Sequence, residues 1–192
     1  MHDIDFAELT NYAKIFSGLT PEREALLVEA GDQIKPHLKQ ITENFYSVLE
    51  TIPKARPFLE GRLENLKKTH HQWMEGLFTG PFDENFVRHM YHVGDVHVRV
   101  DLPVEFMAGG TTLIADGIIK MTNELYADDP QRRDALVEAI NSILGMSLMV
   151  MQQSYQASVD EALEKFLAIT GMSRALFEKL AETYNVSRPG KK

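Results

Sequence analysis

Apolar residues recur at three- and four-residue intervals from one end of this chain to the other, and no stretch shows the extended alternation of β-branched residues that a strand requires. A chain patterned in this way can bury its apolar surface only by packing helix on helix. Its 192 residues allow one domain with a sizeable core and leave little room for a second. The expected fold class is therefore all-α.

The helices are punctuated by local signals. A short first helix around Asp5 to Phe16 ends near Gly18. Thr20-Pro21-Glu22 then supplies an N-cap, a first-turn proline and a favourable charge for a second helix, which runs to about Lys35 and stops at Pro36. A third carries Leu38, Ile41, Phe45, Val48 and Ile52 on one face and stops before Pro53. A fourth spans roughly Pro57 to Phe78, and Gly80-Pro81 separates it from a fifth that Asp83 caps. After Asp101-Leu102-Pro103 comes a helix with Phe106, Gly110, Leu113, Gly117, Met121 and Leu125 in register; its glycines suggest close approach of another backbone or of a ligand. Past Asp128-Asp129-Pro130, one long pattern runs from Leu136 to Phe166. Within it, Ile143 to Met151 is apolar nearly all round, which predicts a second buried surface, most simply a dimer interface. Gly171 interrupts the pattern, Ser173 to Tyr184 forms a further short amphipathic segment, and Asn185 to Lys192 reads as a polar tail. The expected organisation is a folded domain over residues 1–166 followed by a short helix and linker or tail over 167–192.

Two of these apolar stripes contain a histidine at their centre. Leu59, Leu63, Leu66, His70, Trp73 and Leu77 share one face, and Phe82, Phe86, Met90, Val93, His97 and Val100 share another. An imidazole aimed into apolar surroundings needs partners for its ring nitrogens, and two facing helices that each offer one suggest a flat, metal-bearing group between them. His70 lies on its stripe, whereas His71 falls on the helix flank.

Composition removes other chemistries. There is no cysteine, so disulfides, thiolate zinc sites, iron–sulfur clusters and cysteine nucleophiles are excluded. The formal charge of −8 and the lack of a basic segment argue against nucleic acid as a partner. The amino terminus, Met1-His2-Asp3-Ile4-Asp5, has no basic region or apolar run, and the longest near-apolar run, Leu144 to Met151, is far shorter than the ~20 residues of a membrane span, so a soluble, cytoplasmic protein is expected. No Ser-His-Asp order, P-loop or Gly-x-Gly-x-x-Gly is readable, and no catalytic residue is assigned.

The text Phe45-Tyr46, Leu66 to His71 followed by Trp73, Leu77-Phe78 with Gly80, and above all Val96-His97-Val98-Arg99-Val100-Asp101-Leu102-Pro103 resembles the sensor globins at the amino terminus of bacterial globin-coupled sensors, which are related to protoglobins. The resemblance covers roughly residues 5 to 165 in helix order and spacing. It implies a globin fold with an extra amino-terminal helix, a haem b (iron protoporphyrin IX) cofactor, His97 as proximal iron ligand, Tyr46 as distal hydroxyl, and Leu66 and Thr69 above the distal face. The family commonly has Gly where this chain has Asp101, and a Trp-Tyr pair where it has Glu105-Phe106, so a proximal hydroxyl is missing at that position.

The expected role is sensing of O2, CO or NO through helix movement in a homodimer built on the last two long helices. In the family such a domain regulates a carboxy-terminal output module; none is present in this sequence, which fits a truncated or a stand-alone sensor. A permanent neutral imidazole suits His97. The Tyr46 hydroxyl would donate to the partial negative charge of held O2, favouring it over less polar CO by about 1–3 kcal/mol; its other reading is an interface tyrosine reaching water. His70 is either a sixth iron ligand or a distal histidine that never touches iron. Phe45, Val48, Phe58, Leu66, Trp73, Met90 and Val93 are candidate pocket walls, and Lys67, Lys68, His71 and Arg99 could pair with haem propionates. Two competing readings remain: a haem-free globin-like interaction module, and a six-coordinate redox-responsive haem protein or haem redox enzyme.

Overall fold

The computed structural model describes residues 4–186, all of whose regular structure is helical. The chain forms two compact units, one ending at Tyr155 and one holding the residues from Gln156 onward. The first unit contains α1 (Phe6–Ser17), α2 (Pro21–Ile34), a 3-10 turn (Lys35–His37), α3 (Leu38–Thr51), the single-turn α4 (Arg56–Leu59), α5 (Leu63–Gly76), α6 (Glu84–Arg99), α7 (Val104–Leu125) and the first part of α8 (Pro130–Thr170). The remainder of α8 and α9 (Arg174–Val186) make up the second. The tail expected from Asn185 begins inside α9, and its residues 187–192, like residues 1–3, lie outside the described residues.

Where boundaries are set by local chemistry they fall where the sequence places them. The Asp5 carboxylate accepts from the Glu8 N–H, Thr20 caps α2 ahead of Pro21, and the Asp83 carboxylate accepts from the N–H groups of Asn85 and Phe86. Gly18 ends α1 at φ +67°.

Several expectations are corrected. The stretch from Pro57 to Phe78 is two helices, because Gly61 takes φ +70° and the chain turns between Leu59 and Leu63. Pro36 does not separate α2 from α3 by a loop; the backbone tightens into a 3-10 turn and runs straight on. On α3 the buried set is Leu38, Ile41, Thr42 and Tyr46, while Val48, expected inside, is 40% exposed. The helix face is thus rotated toward Tyr46, because α3 packs against both α5 and α7. The glycines of α7 admit side chains of α3: Gly110 faces the Phe45 ring and Gly117 faces Ile41. Lastly, most of the all-round apolar stretch in α8 is core of the chain itself, with Ile143, Leu144, Met146, Val150 and Met151 buried. An 18-residue window of α8 is apolar enough for a membrane span (mean hydropathy 1.4), but 56% of it is buried within the fold, as suits a central core helix.

Among the glycines, the tightest approach of another helix is at Gly94. A Cβ there would stand 2.3 Å from the Met151 carbonyl oxygen and 2.4 Å from Ser154 Oγ. This backbone-to-backbone contact fixes the histidine-bearing end of α6 against α8.

Candidate cofactor site between two histidine helices

Because α5 begins only at Leu63, it presents Leu66, His70, Trp73 and Leu77 along one side, with Trp73 and Leu77 buried and Leu66 and His70 half-buried. On α6, Met90 is buried and Val93 and His97 are half-buried along the corresponding stripe, whereas Val100 lies beyond the helix end and is 36% exposed.

His70 is enclosed by aromatic rings. Trp73 stacks on it with centroids 5.6 Å apart and planes at 10°, Phe45 lies tilted at 4.5 Å, and Tyr46 meets it edge-on at 5.6 Å. The indole N–H of Trp73 donates to Met90 Sδ at 3.1 Å, tying α5 to α6. His70, Tyr46, Phe45, Trp73 and Met90 are therefore brought together, and His97 lies near enough that its charge would oppose protonation of His70.

Burial decides the protonation states. It is the main cause holding the His70 imidazole down at about 4, with the positive charges His97 and His71 would carry adding to the effect. Burial likewise holds His97 below its ordinary value, partly offset by the backbone of Val93 one turn earlier, although no hydrogen bond to Nδ1 is completed. Tyr46 is 6% exposed, and burial pushes its hydroxyl well above the usual phenol range, so it stays protonated and able to donate. Near neutral pH the site thus offers two uncharged imidazoles and one neutral hydroxyl.

Nδ1 of His70, of His97 and of the flanking His71 is buried without a hydrogen-bond partner. Orphaned buried polar atoms are costly and rare, which marks them as a place where a further group is accommodated. Neutral imidazoles from opposite helices, walled by apolar and aromatic side chains, form a donor set that fits an iron porphyrin.

Other candidates are not brought in. Thr69 is exposed and its hydroxyl donates back to the Asn65 and Leu66 carbonyls of its own helix. Arg99 is exposed and paired with Asp95 one turn back. Lys67 bridges α5 to α3 through Glu43 at 2.6 Å, and His71 faces Glu75 at 3.6 Å. Phe58 is half-buried and packs edge-on against Phe106. A shallow surface groove lined by Ile119, Asn123, Arg133, Asp134, Val137 and Glu138 contains none of these residues.

Two contacts escape sequence reasoning. The Met90 sulfur as acceptor for Trp73 has no local signal, since both residues read as apolar stripe. The Tyr155 hydroxyl, which donates to the Leu102 carbonyl at 3.0 Å just past His97, has only its position in the α8 stripe to announce it.

Comparison with known proteins agrees with the all-helical fold. The model of the protoglobin family matches residues 6–161. The structure is similar to the globin domain of a Geobacter sulfurreducens globin-coupled sensor, at 26% identity and a TM-score of 0.71 over 76% of this chain and 96% of that one. It also shares its fold with the globin domain of Escherichia coli DosC, at 21% identity in both forms: TM-score 0.61 over 76% of this chain and 99% of that one for the ferric form, and 0.59 over 74% and 98% for the ferrous form. No curated protein matches the chain.

Proposed function

Given that the chain belongs to the protoglobin family, we propose that it is a haem-based gas sensor in which His97 is the proximal iron ligand and His70 takes the sixth position at rest. Haem b, when bound, supplies an iron that keeps one imidazole and exchanges a diatomic gas on its other face. The observation that carries the reading is the pair of half-buried, uncharged imidazoles on α5 and α6, with His70 enclosed by the rings of Phe45, Tyr46 and Trp73.

Each residue has a distinct task. His97 stays neutral because it is buried, which keeps a lone pair available for metal. Tyr46, protonated and beside His70, donates to a polar gas and favours O2 over CO by about 1–3 kcal/mol. His70 competes with the gas, so apparent affinity is the intrinsic affinity multiplied by the fraction of protein in which its ring has swung aside. Phe45, Trp73, Met90, Val93 and Leu66 exclude water around them. Signalling requires two packings of the helices that differ in gas affinity. A cytoplasmic homodimer through the long carboxy-terminal helices is the form in which this is read out. Support comes from Val159 and Phe166 of α8, which are 64% and 48% exposed. No catalytic step is assigned.

Visible absorption spectra of ferric and ferrous protein test the reading. His97→Ala is expected to lose haem, and His70→Ala to convert a six-coordinate spectrum to a five-coordinate one. Retention of haem with an unchanged spectrum in His97→Ala overturns the assignment; an unchanged spectrum in His70→Ala overturns only the resting sixth ligand.

A further inference from the structure

The three aromatic rings around His70 differ in where they are anchored. Phe45 and Tyr46 come from α3, whereas Trp73 stands on α5 one turn after His70, and its indole N–H donates to Met90 Sδ on α6 at 3.1 Å. Trp73 and Met90 are both buried. Met90 lies seven residues before His97 on the same apolar stripe of α6, so the two side chains point to one side of that helix. A cross-brace therefore runs from the His70 ring through Trp73 to the helix that carries the opposite imidazole.

Stacking alone would not fix this arrangement, because an indole that turns about its own side-chain torsions either takes the neighbouring imidazole with it or leaves it. The indole N–H is the single donor that Trp73 has, and spending it on Met90 makes one ring orientation lower in free energy than the rest. We infer that Trp73 is a positioning residue for His70: held by Met90, it keeps the imidazole in the orientation that occupies the sixth position, and so sets the share of protein open to gas. The inference rests on His70 being the resting sixth ligand.

Coupling of this kind is reciprocal. If the Trp73–Met90 bond favours His70 in the sixth position, then a gas that displaces His70 weakens that bond and is registered on α6, the helix of His97. A hydrogen bond that served the core alone would be indifferent to the exchange.

Ferrous holoprotein with CO as the probe tests this. Trp73→Phe keeps a ring beside His70 and removes the donor; Met90→Leu keeps the indole and removes the acceptor. Each is expected to raise the CO association rate about two- to tenfold, the range one net hydrogen bond supplies. In a His70→Ala background the same two substitutions should leave the rate unchanged, since no imidazole is left to position. Met74→Leu makes the same exchange at a buried sulfur that takes no hydrogen bond among the described contacts, and should change the rate in neither background. Trp73 is the only tryptophan in the chain, so the protein without substitutions gives one indole N–H signal in NMR spectra. Its proton exchange should be faster in the CO form than in the ferrous form without gas. Folded Trp73→Phe and Met90→Leu proteins with unchanged rates overturn the inference, as do rates raised equally when His70 is absent. Indole exchange unaltered by CO also overturns it, and that measurement needs no variant to fold. Failure of the underlying reading is separate: it appears as a five-coordinate ferrous spectrum before any substitution, and the inference falls with it.

Discussion

His70 and Trp73 lie one turn apart on α5 with rings parallel to within 10°, and Trp73 passes that contact on to α6 through its hydrogen bond to Met90. The His70 imidazole is thus oriented by a side chain anchored on the helix that carries His97. Trp73→Phe keeps most of the stack and removes the N–H···S bond, so it should cost about 0.5–1.5 kcal/mol in urea unfolding. In a double-mutant cycle with Met90→Leu the two losses should be less than additive. Full additivity would show that the indole–sulfur contact contributes nothing of its own.

The apoprotein should lose stability in mild acid. The folded His70 pKa of about 4 lies below the ordinary value of 6.5, so the unfolded chain binds the extra proton first. The stabilisation is complete above about pH 6.5, falls as pH drops through the interval, and levels off below about 4. Between pH 7 and 5 the loss from this one group is about 2 kcal/mol, and the lowered His97 acts in the same direction. His70→Leu should flatten the dependence of the urea midpoint on pH over that range; an unaltered slope would assign the effect elsewhere.

The features legible in the sequence were those written in short stretches of chain. Asp5, Thr20 and Asp83 announced helix starts because a cap needs only its own next three residues. His70 and His97 stood out because a polar side chain interrupts each stripe. The rotation of α3 toward Tyr46 was not legible, because Phe45 and Val48 are as apolar as Leu38 and only packing against α5 and α7 selects among them. The resemblance places Thr69 above the distal face, yet its hydroxyl is satisfied within its own helix. The excess of apolar residues at Ile143 to Met151 suggested an external partner because the sequence does not reveal how many other helices a central helix touches.

The Gly94 crossing yields a sharp contrast between two glycines. Gly94→Ala drives a methyl into the Met151 carbonyl and the Met151 Cα, backbone atoms that cannot rotate away. Destabilisation of about 3 kcal/mol is expected. Gly145→Ala, on α8 with nothing within 4 Å of the added carbon, should instead stabilise by about 0.5–1 kcal/mol through helix propensity. Chemical unfolding of both variants checks the pair. Similar effects of the two substitutions would mean that α6 and α8 do not approach this closely.

Asp101 is the one non-glycine residue at positive φ among the described residues, and it sits in the turn between His97 and the Tyr155-bound Leu102. An L side chain in the left-handed region is strained, and a short carboxylate only partly compensates. Asp101→Gly relieves that strain while adding freedom to the unfolded chain. The net result should be a gain of about 0.5–1 kcal/mol in unfolding free energy, below the full left-handed penalty. The hydrogen bonds from the Asp101 N–H to the Val98 carbonyl and from the Leu102 N–H to the His97 carbonyl are unaffected by the change, so the ferrous iron–imidazole stretching frequency in resonance Raman spectra should not move. A stabilised variant with a shifted frequency would mean that the aspartate itself, and not the turn it occupies, acts on His97.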